Sequence, residues 1–319
     1  MTKEVQRYVT ALLIFLAFQP NGFCQRKSLF PPNVRRIVFL GNSITYNGRY
    51  VNALEGYIRL RYPKHSLEFI NVGLSSETVS GLSEDGHAEG KFPRPDLQER
   101  LARVLALTKP DLVFACYGMN DGIYLPFDET RFGQFQTGVN WLHTEVMNAG
   151  ASIIHLTPPI YDELRGGKTG YAAVLDRYSD WLLEQQKSRN WSVIDIHYPM
   201  KRLLDAHRSV DTDFAIASFA LAEDGVHPGD AGHWLMAKTI LLALGDTAVA
   251  RAPDLKTAVD SVPNAPQLLK LISERQNLMR DAWLTATGHK RPGVKSGLPM
   301  EEAKAKVIEI EALIHSLIN

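Results

Sequence analysis

Residues 36–45 read Arg-Ile-Val-Phe-Leu-Gly-Asn-Ser-Ile-Thr, RIVFLGNSIT. After Arg36, Ile37–Leu40 form a continuous apolar run, opened by two β-branched residues, without polar alternation. That pattern suits a strand covered on both faces, as in a parallel sheet. Gly41 then permits a tight exit from the strand. Ser43 follows at once, at the carboxyl end of a strand, where open parallel sheets gather their ligands.

Four further runs share this character: Leu67–Val72 (LEFINV), Asp111–Tyr117 (DLVFACY), Ser152–Thr157 (SIIHLT) and Ser192–Ile196 (SVIDI). Helical spacing lies between them, over Tyr50–Arg61, Asp96–Leu107, Thr130–Asn148 and Tyr171–Ser188, and again after Gly229 to about Leu244. Alternating β and α units of this size predict an α/β fold. The expected form is a three-layer α/β/α sandwich on a five-stranded, mostly parallel, flavodoxin-like sheet. From about residue 250 the character changes. Pro253, Pro263 and Pro266 punctuate a linker, helices are predicted over Gln267–Thr285 and Met300–Leu317, and a basic Gly/Pro-rich loop, GHKRPGVKSGLP at 288–299, joins them. Residues 250–319 are therefore expected to form a C-terminal helical extension.

The 319 residues are 45% apolar and 22% charged, ample for a buried core, and Lys+Arg equals Asp+Glu at 35 each. A balanced charge offers nothing that recruits nucleic acid or an anionic membrane by bulk electrostatics. Lys3 and Arg7 precede the apolar run Tyr8–Phe18, and Gln19–Gly22 form a polar, turn-prone end. This is the layout of a secretory signal peptide, placed at 1–24, in a run too short to span a bilayer comfortably. A secreted or periplasmic protein is expected, with no membrane association beyond that segment. Cys24 raises a lipoprotein alternative, against which the bulky Phe23 argues. Cys116 lies in a strand-like run and reads as a buried small hydrophobe.

Three polar sites follow the first, third and fifth strands. Ser43 is a nucleophile candidate, though a serine after a glycine turn is also an ordinary helix cap. Asn120, in Gly118-Met119-Asn120-Asp121, carries an amide that can donate to an oxyanion, though Asn, Asp and Gly are also turn formers. Asp224-Gly225-Val226-His227-Pro228 holds an acid and a base three residues apart, with the proline read as a first-turn residue of the next helix. A serine hydrolase needs a carboxylate to orient an imidazole that takes a hydroxyl proton. The three sites share one sheet edge, which is harder to obtain by chance than any one alone.

GNSIT, GMND and DGVHP, in this order and spacing, resemble the sequence blocks of the SGNH hydrolases, also called the GDSL lipase/esterase family. The resemblance spans roughly 35–245 and places a hydrolase domain at 25–249. It implies Ser43 as nucleophile, Asp224 and His227 as acid and base, and Asn120 as a side-chain oxyanion donor. No metal or other cofactor is implied. The second block departs: Ser76 stands where the family has a glycine whose backbone N–H points at the oxyanion. Serine keeps that N–H, and the role survives if the backbone does not require a positive φ. Gly73 is the fallback donor.

What the resemblance implies is a serine esterase acting on a small-molecule or glycan ester, above all O-deacetylation of a carbohydrate. A lipase or lysophospholipase for longer acyl chains, and a catalytically silent glycan-binding module, are the alternatives. The loop Gly81–Pro95 is expected to rim the site or simply connect, and Tyr46, Tyr50, Tyr124, Leu125 and Phe127 to line the cleft or pack in the core. Oligomeric state is not legible.

Overall fold

The computed structural model describes residues 29–209 and 219–318, so the expected signal peptide at 1–24 lies outside the described residues. The chain divides into two compact units, Met1–Pro32 and Asn33–Asn319. Of the first only 29–32 are described, as a bend and the start of a turn. Everything below concerns the second.

Five strands form one sheet: β1 (Arg36–Gly41), β2 (Glu68–Asn71), β3 (Leu112–Cys116), β4 (Ser152–Leu156) and β5 (Ser192–Ile194). All pair in parallel, in the order β2-β1-β3-β4-β5. Ile37, Val38, Phe39 and Leu40 are completely buried. Their unbroken apolar run therefore reflects cover on both faces. Phe39 stacks on Phe69 and Phe114 at centroid distances of 5.9 and 5.2 Å, joining the three neighbouring strands β2, β1 and β3.

The helices are α1 (Ser43–Asn47), α2 (Arg49–Arg61), α3 (Leu101–Thr108), α4 (Glu129–Asn148), α5 (Glu163–Gly166), α6 (Tyr171–Ser188), α7 (His197–Arg208), α8 (Asp230–Ala243), α9 (Leu255–Ala258), α10 (Ala265–Thr287) and α11 (Met300–Ile318). The strand order runs one way from β1 to β2 and the other way from β3 onward. Right-handed crossovers then put α2 on one face and α3, α4 and α6 on the other, and α8 packs beside α2. The three-layer sandwich is thus observed. The helix expected over Asp96–Leu107 is broken. A 3₁₀ turn at Leu97–Glu99 precedes α3, and between them Arg100 leaves helical geometry with its side chain buried. The helix α7 has no counterpart in the periodicity, because Pro199 sits in its first turn and only three of its residues are buried.

The C-terminal helices cover the open edge of the sheet. Gln276 on α10 donates to the Phe69 carbonyl of β2 at 2.9 Å and also bonds the buried Glu55 of α2. Arg275 reaches Glu55 at 3.0 Å. An exposed strand edge is a template for pairing with other chains, and a helix laid along it removes that template. Helix α11 packs on α10, tied by Glu311 to Arg59 at 2.9 Å and to Arg275 at 2.5 Å. No helix of the described residues is long and apolar enough to cross a membrane.

Candidate active site

The order in which the chain adds strands reverses between β1 and β3, and Gly41 sits in register with Cys116 at the carboxyl ends of these two parallel strands. This is the switch point at which ligands collect in such sheets. Gly41 is required there by space, since a Cβ would lie 2.3 Å from the Thr45 hydroxyl and 2.8 Å from the Cys116 carbonyl. Asn42 caps α1, its side chain accepting from the Ile44 N–H at 3.1 Å. Ser43 is therefore the first residue of a helix, and its backbone N–H has no acceptor among the described residues.

His227 Nε2 lies 2.7 Å from Ser43 Oγ, and His227 Nδ1 lies 2.6 Å from Asp224 Oδ2. The other Asp224 oxygen accepts the Val226 and His227 backbone N–H groups at 2.9 and 2.7 Å. Partial burial pushes this carboxyl up, but the His227 and Val226 donors outweigh it and hold it below the usual carboxylate range. A carboxylate that accepts from Nδ1–H leaves Nε2 as the acceptor for the serine proton. The turn is built on Gly225, which has φ +79° and no room for a Cβ against Gly166 of α5. Asp162 N–H donates to the Gly225 carbonyl at 2.9 Å, anchoring the turn to that helix. Pro228 precedes the helix rather than lying in its first turn, and Gly229 is the N-cap. The pair is open to solvent: the His227 and Asp224 side chains are 44% and 56% exposed.

Asn120 is buried and its amide donates to the Glu77 carbonyl at 3.1 Å, which leaves its second N–H free. Tyr124 donates to the Asn120 amide oxygen at 3.1 Å and fixes which way the amide points. Ser76 takes φ +68°, so the backbone does adopt the positive φ on whose absence the sequence-based expectation rested; the serine accepts that strained geometry and keeps its N–H. Its N–H has no acceptor among the described residues. Gly73 does not offer the alternative, because its N–H is already given to the Asn71 side chain at 2.9 Å.

Several residues that hold this geometry escape the motif reading. Glu77 is fully buried and paired with Arg100 through two N–H···O contacts of 2.6 and 2.7 Å, and Tyr117 donates to it at 2.7 Å. Burial drives the Glu77 carboxyl upward against these donors, while the same contact raises the Arg100 guanidinium. The charged pair is the better description, since a neutral acid would leave a buried guanidinium uncompensated. Asp121 accepts from Val79 N and Ser80 N at 2.9 Å, from the Ser80 hydroxyl at 2.8 Å and from Gly118 N at 2.9 Å, tying the second loop to the third. Its place beside Asn120 was a signal; Glu77 and Arg100 carry none, being charged residues in stretches that read as loop and helix.

Of the expected cleft residues, Tyr50 packs in the core against Phe39 with its hydroxyl 3.1 Å from that of Thr45. Tyr46 lies under the Arg280 guanidinium, 4.5 Å from its ring centroid. Leu125 and Phe127 are exposed, and the Gly81–Pro95 loop brings Arg94 over the Tyr124 ring at 5.3 Å. Cys116 is buried, which pushes its thiol up to about 12. Among the described residues no three His, Cys, Asp or Glu side chains converge as metal ligands.

Residues 39–235 match the model of the GDSL-like Lipase/Acylhydrolase family, and the chain belongs to that family. It is a hydrolase of ester bonds on a parallel α/β scaffold. It is similar to an acetylxylan esterase of Geobacillus stearothermophilus, 24% identical over 231 residues, which are 66% of this chain and 94% of that protein. The crystal structure of that esterase superposes with a TM-score of 0.51 over the same shares, at 24% identity. An α/β hydrolase enzyme from the metagenome of Lake Arreo, Spain, superposes with a TM-score of 0.53, 24% identity, and coverage of 69% of this chain and 98% of that one. At these identities the structural likenesses speak to the fold.

Proposed function

We propose that the protein is a secreted serine esterase that removes acetyl groups from carbohydrate. The observation that carries the reading is the continuous chain from Ser43 Oγ through His227 to Asp224, at 2.7 and 2.6 Å. His227 takes the Ser43 proton as the oxygen attacks the ester carbonyl, and Asp224 holds the imidazole tautomer and offsets its charge. The oxyanion is received by the Ser43 N–H, the Ser76 N–H and the free N–H of Asn120. The protonated His227 then hands its proton to the leaving alcohol, and water hydrolyses the acyl-enzyme by the same route in reverse. The substrate is a small-molecule or glycan ester, and neither metal nor other cofactor takes part.

The open position of His227 and Asp224 supports a bulky, polar alcohol half, such as a sugar chain, over a long acyl chain that would need an apolar channel. The similarity to an acetylxylan esterase supports the same choice. Replacement of Ser43 by Ala is expected to abolish acetate release from acetylated xylan and from p-nitrophenyl acetate, with the melting temperature retained. Wild-type activity in that variant would refute the nucleophile. A p-nitrophenyl ester series should favour acetate; preference for C8 or longer would make the protein a lipase. Failure of Ser43 to react with a fluorophosphonate probe in folded protein would make it a glycan-binding module.

A further inference from the structure

The loop between α10 and α11 is held against the body of the domain. Arg103 of α3 donates to the Thr287 carbonyl at 2.8 Å, and Gly297 N–H donates to the Thr285 hydroxyl at 2.8 Å. Gly297 lies so close to α10 that a Cβ would meet the Asp281 backbone at 2.2 Å. This holds Arg291 over the Phe92 ring, 5.4 Å from its centroid, and both line a cavity of about 250 Å³. The cavity borders the catalytic loops. Leu74 lines it, two residues before Ser76, and donates its N–H to the Gly41 carbonyl at 2.9 Å. Arg94 also lines it and covers the Tyr124 ring, whose hydroxyl orients Asn120.

Arg291 is the one arginine of this cavity without an acid. Arg94 is paired with Glu84 at 2.6 Å and Arg100 with Glu77 at 2.6 Å. The acids on the wall, Asp96 and Glu99, face the Gln98 N–H at 2.9 Å and Arg103 at 2.9 Å, with Lys290 reaching Glu99 only at 3.9 Å. The Arg291 guanidinium donates to its neighbour's carbonyl, Pro292 O, at 2.8 Å, and its Nε is buried with no partner among the described residues. Arg100 Nη1, in the same wall, is also buried and unpartnered. Buried donors are normally satisfied. Two buried guanidinium nitrogens without partners line one cavity, and one of the two arginines has no acid, which suits the cavity to an anion.

We infer that this cavity is a subsite for the carboxylate of a uronic acid residue in the substrate glycan, anchored by Arg291. The inference rests on the esterase reading above and narrows it to acidic acetylated polysaccharides. A guanidinium takes a carboxylate through two parallel N–H···O bonds. The cavity is smaller than the ~300–1,000 Å³ of sites that enclose a whole drug-sized ligand, so it receives one unit of a chain whose ester lies at Ser43. The C-terminal extension thereby contributes to substrate choice as well as covering the sheet edge.

The test compares acetylated xylo-oligosaccharides with and without a glucuronic acid branch. Wild type should show the higher kcat/KM on the acidic substrate. Arg291→Gln should lower the acidic-to-neutral ratio about tenfold or more, the scale of a lost charge-assisted bond, and Arg291→Lys should restore part of it. A ratio unmoved by Arg291→Gln, in protein with wild-type melting, would overturn the subsite. Binding is read apart from turnover by titrating the glucuronate-bearing oligosaccharide into Ser43→Ala protein. Binding that disappears in Ser43→Ala/Arg291→Gln supports the subsite even where the acetyl group proves not to be the ester cleaved, and absence of binding in Ser43→Ala sinks it. Free glucuronate should compete with that titration; competition by inorganic phosphate alone would assign the cavity to a phosphate and overturn the uronate.

Discussion

The Asn120 side-chain amide donates to the backbone carbonyl of Glu77 at 3.1 Å, so the candidate oxyanion donor is positioned by a residue whose own side chain is fully buried. The Glu77–Arg100 pair and the Tyr117 hydroxyl hold that carbonyl in place from beneath. Removing one charge of a buried pair costs about 3–5 kcal/mol because the other is left uncompensated. Glu77→Gln is therefore expected to lose stability on that scale in denaturant unfolding. Its kcat should fall even at temperatures where it stays folded. Combining it with Arg100→Met should recover part of the stability and none of the kcat.

Asn120 and Tyr124 act at different distances from the reaction. Asn120→Ala removes the proposed oxyanion donor and is expected to lower kcat by about 10²–10³ with little change in KM. Tyr124→Phe only frees the amide to rotate, and a loss of a few-fold is expected. Steady-state kinetics on p-nitrophenyl acetate separates them, and equal losses would contradict the assigned roles.

Ser76 holds a left-handed backbone, φ +68°, that a residue with a Cβ adopts at a cost of about 1–2 kcal/mol. Ser76→Gly removes that strain but adds backbone freedom to the unfolded chain, worth about 0.4–1 kcal/mol in the other direction. A small net gain, a rise of a few degrees at most in melting temperature, is expected with activity retained, because the N–H is unchanged. Loss of activity would mean that the serine side chain itself takes part.

Asp224→Asn keeps the shape of the turn but reverses the donor pattern at His227 Nδ1. The imidazole then presents its proton to Ser43 instead of a lone pair. A fall in kcat of about 10³–10⁴ is expected, with near-native melting at neutral pH because the side chain is largely exposed.

Acid should destabilise the fold through buried histidines outside the candidate triad, His155 and His233 above all. Burial lowers His155 to about 3 and His233 to about 4. His155 shares its Nε2 with His143 Nδ1 at 3.0 Å, and both His233 nitrogens are unpartnered. Each stays neutral in the folded protein while the unfolded chain takes up a proton below about 6.5. Stability is thus complete above that pH and is lost as pH falls toward the folded values, by about 1.4 kcal/mol per unit for each group. Asp224, held low, adds to the loss only at the acid end, as pH falls through its folded value. Melting temperature against pH should therefore decline below 6.5, and His233→Leu should make that decline shallower, the remainder coming from His155 and from His87, His143 and His289, which burial also lowers.

The residues themselves determined the sheet and its working edge. IVFL at 37–40 is apolar on both sides because both sides are covered, and that pattern is local. The same holds for Ser43, Asn120, Asp224 and His227, each set by a short turn following its strand or leading into a helix. What no local pattern carries is which loops touch. The positive φ of Ser76 is imposed by the loop's path from Leu74, bonded to Gly41, to Thr78, bonded to Pro95. Glu77 and Arg100 are charged residues 23 positions apart whose burial depends on meeting each other. Helix α7 and the broken start of α3 were hidden because periodicity reports one buried face, whereas Pro199 and Arg100 answer to packing from elsewhere. The edge-covering role of Gln276 and the unpaired state of Arg291 exist only once the last seventy residues fold back on β2 and on the loop carrying Phe92. Long-range contacts are decided by the whole chain's burial, and that is where the tertiary structure took over.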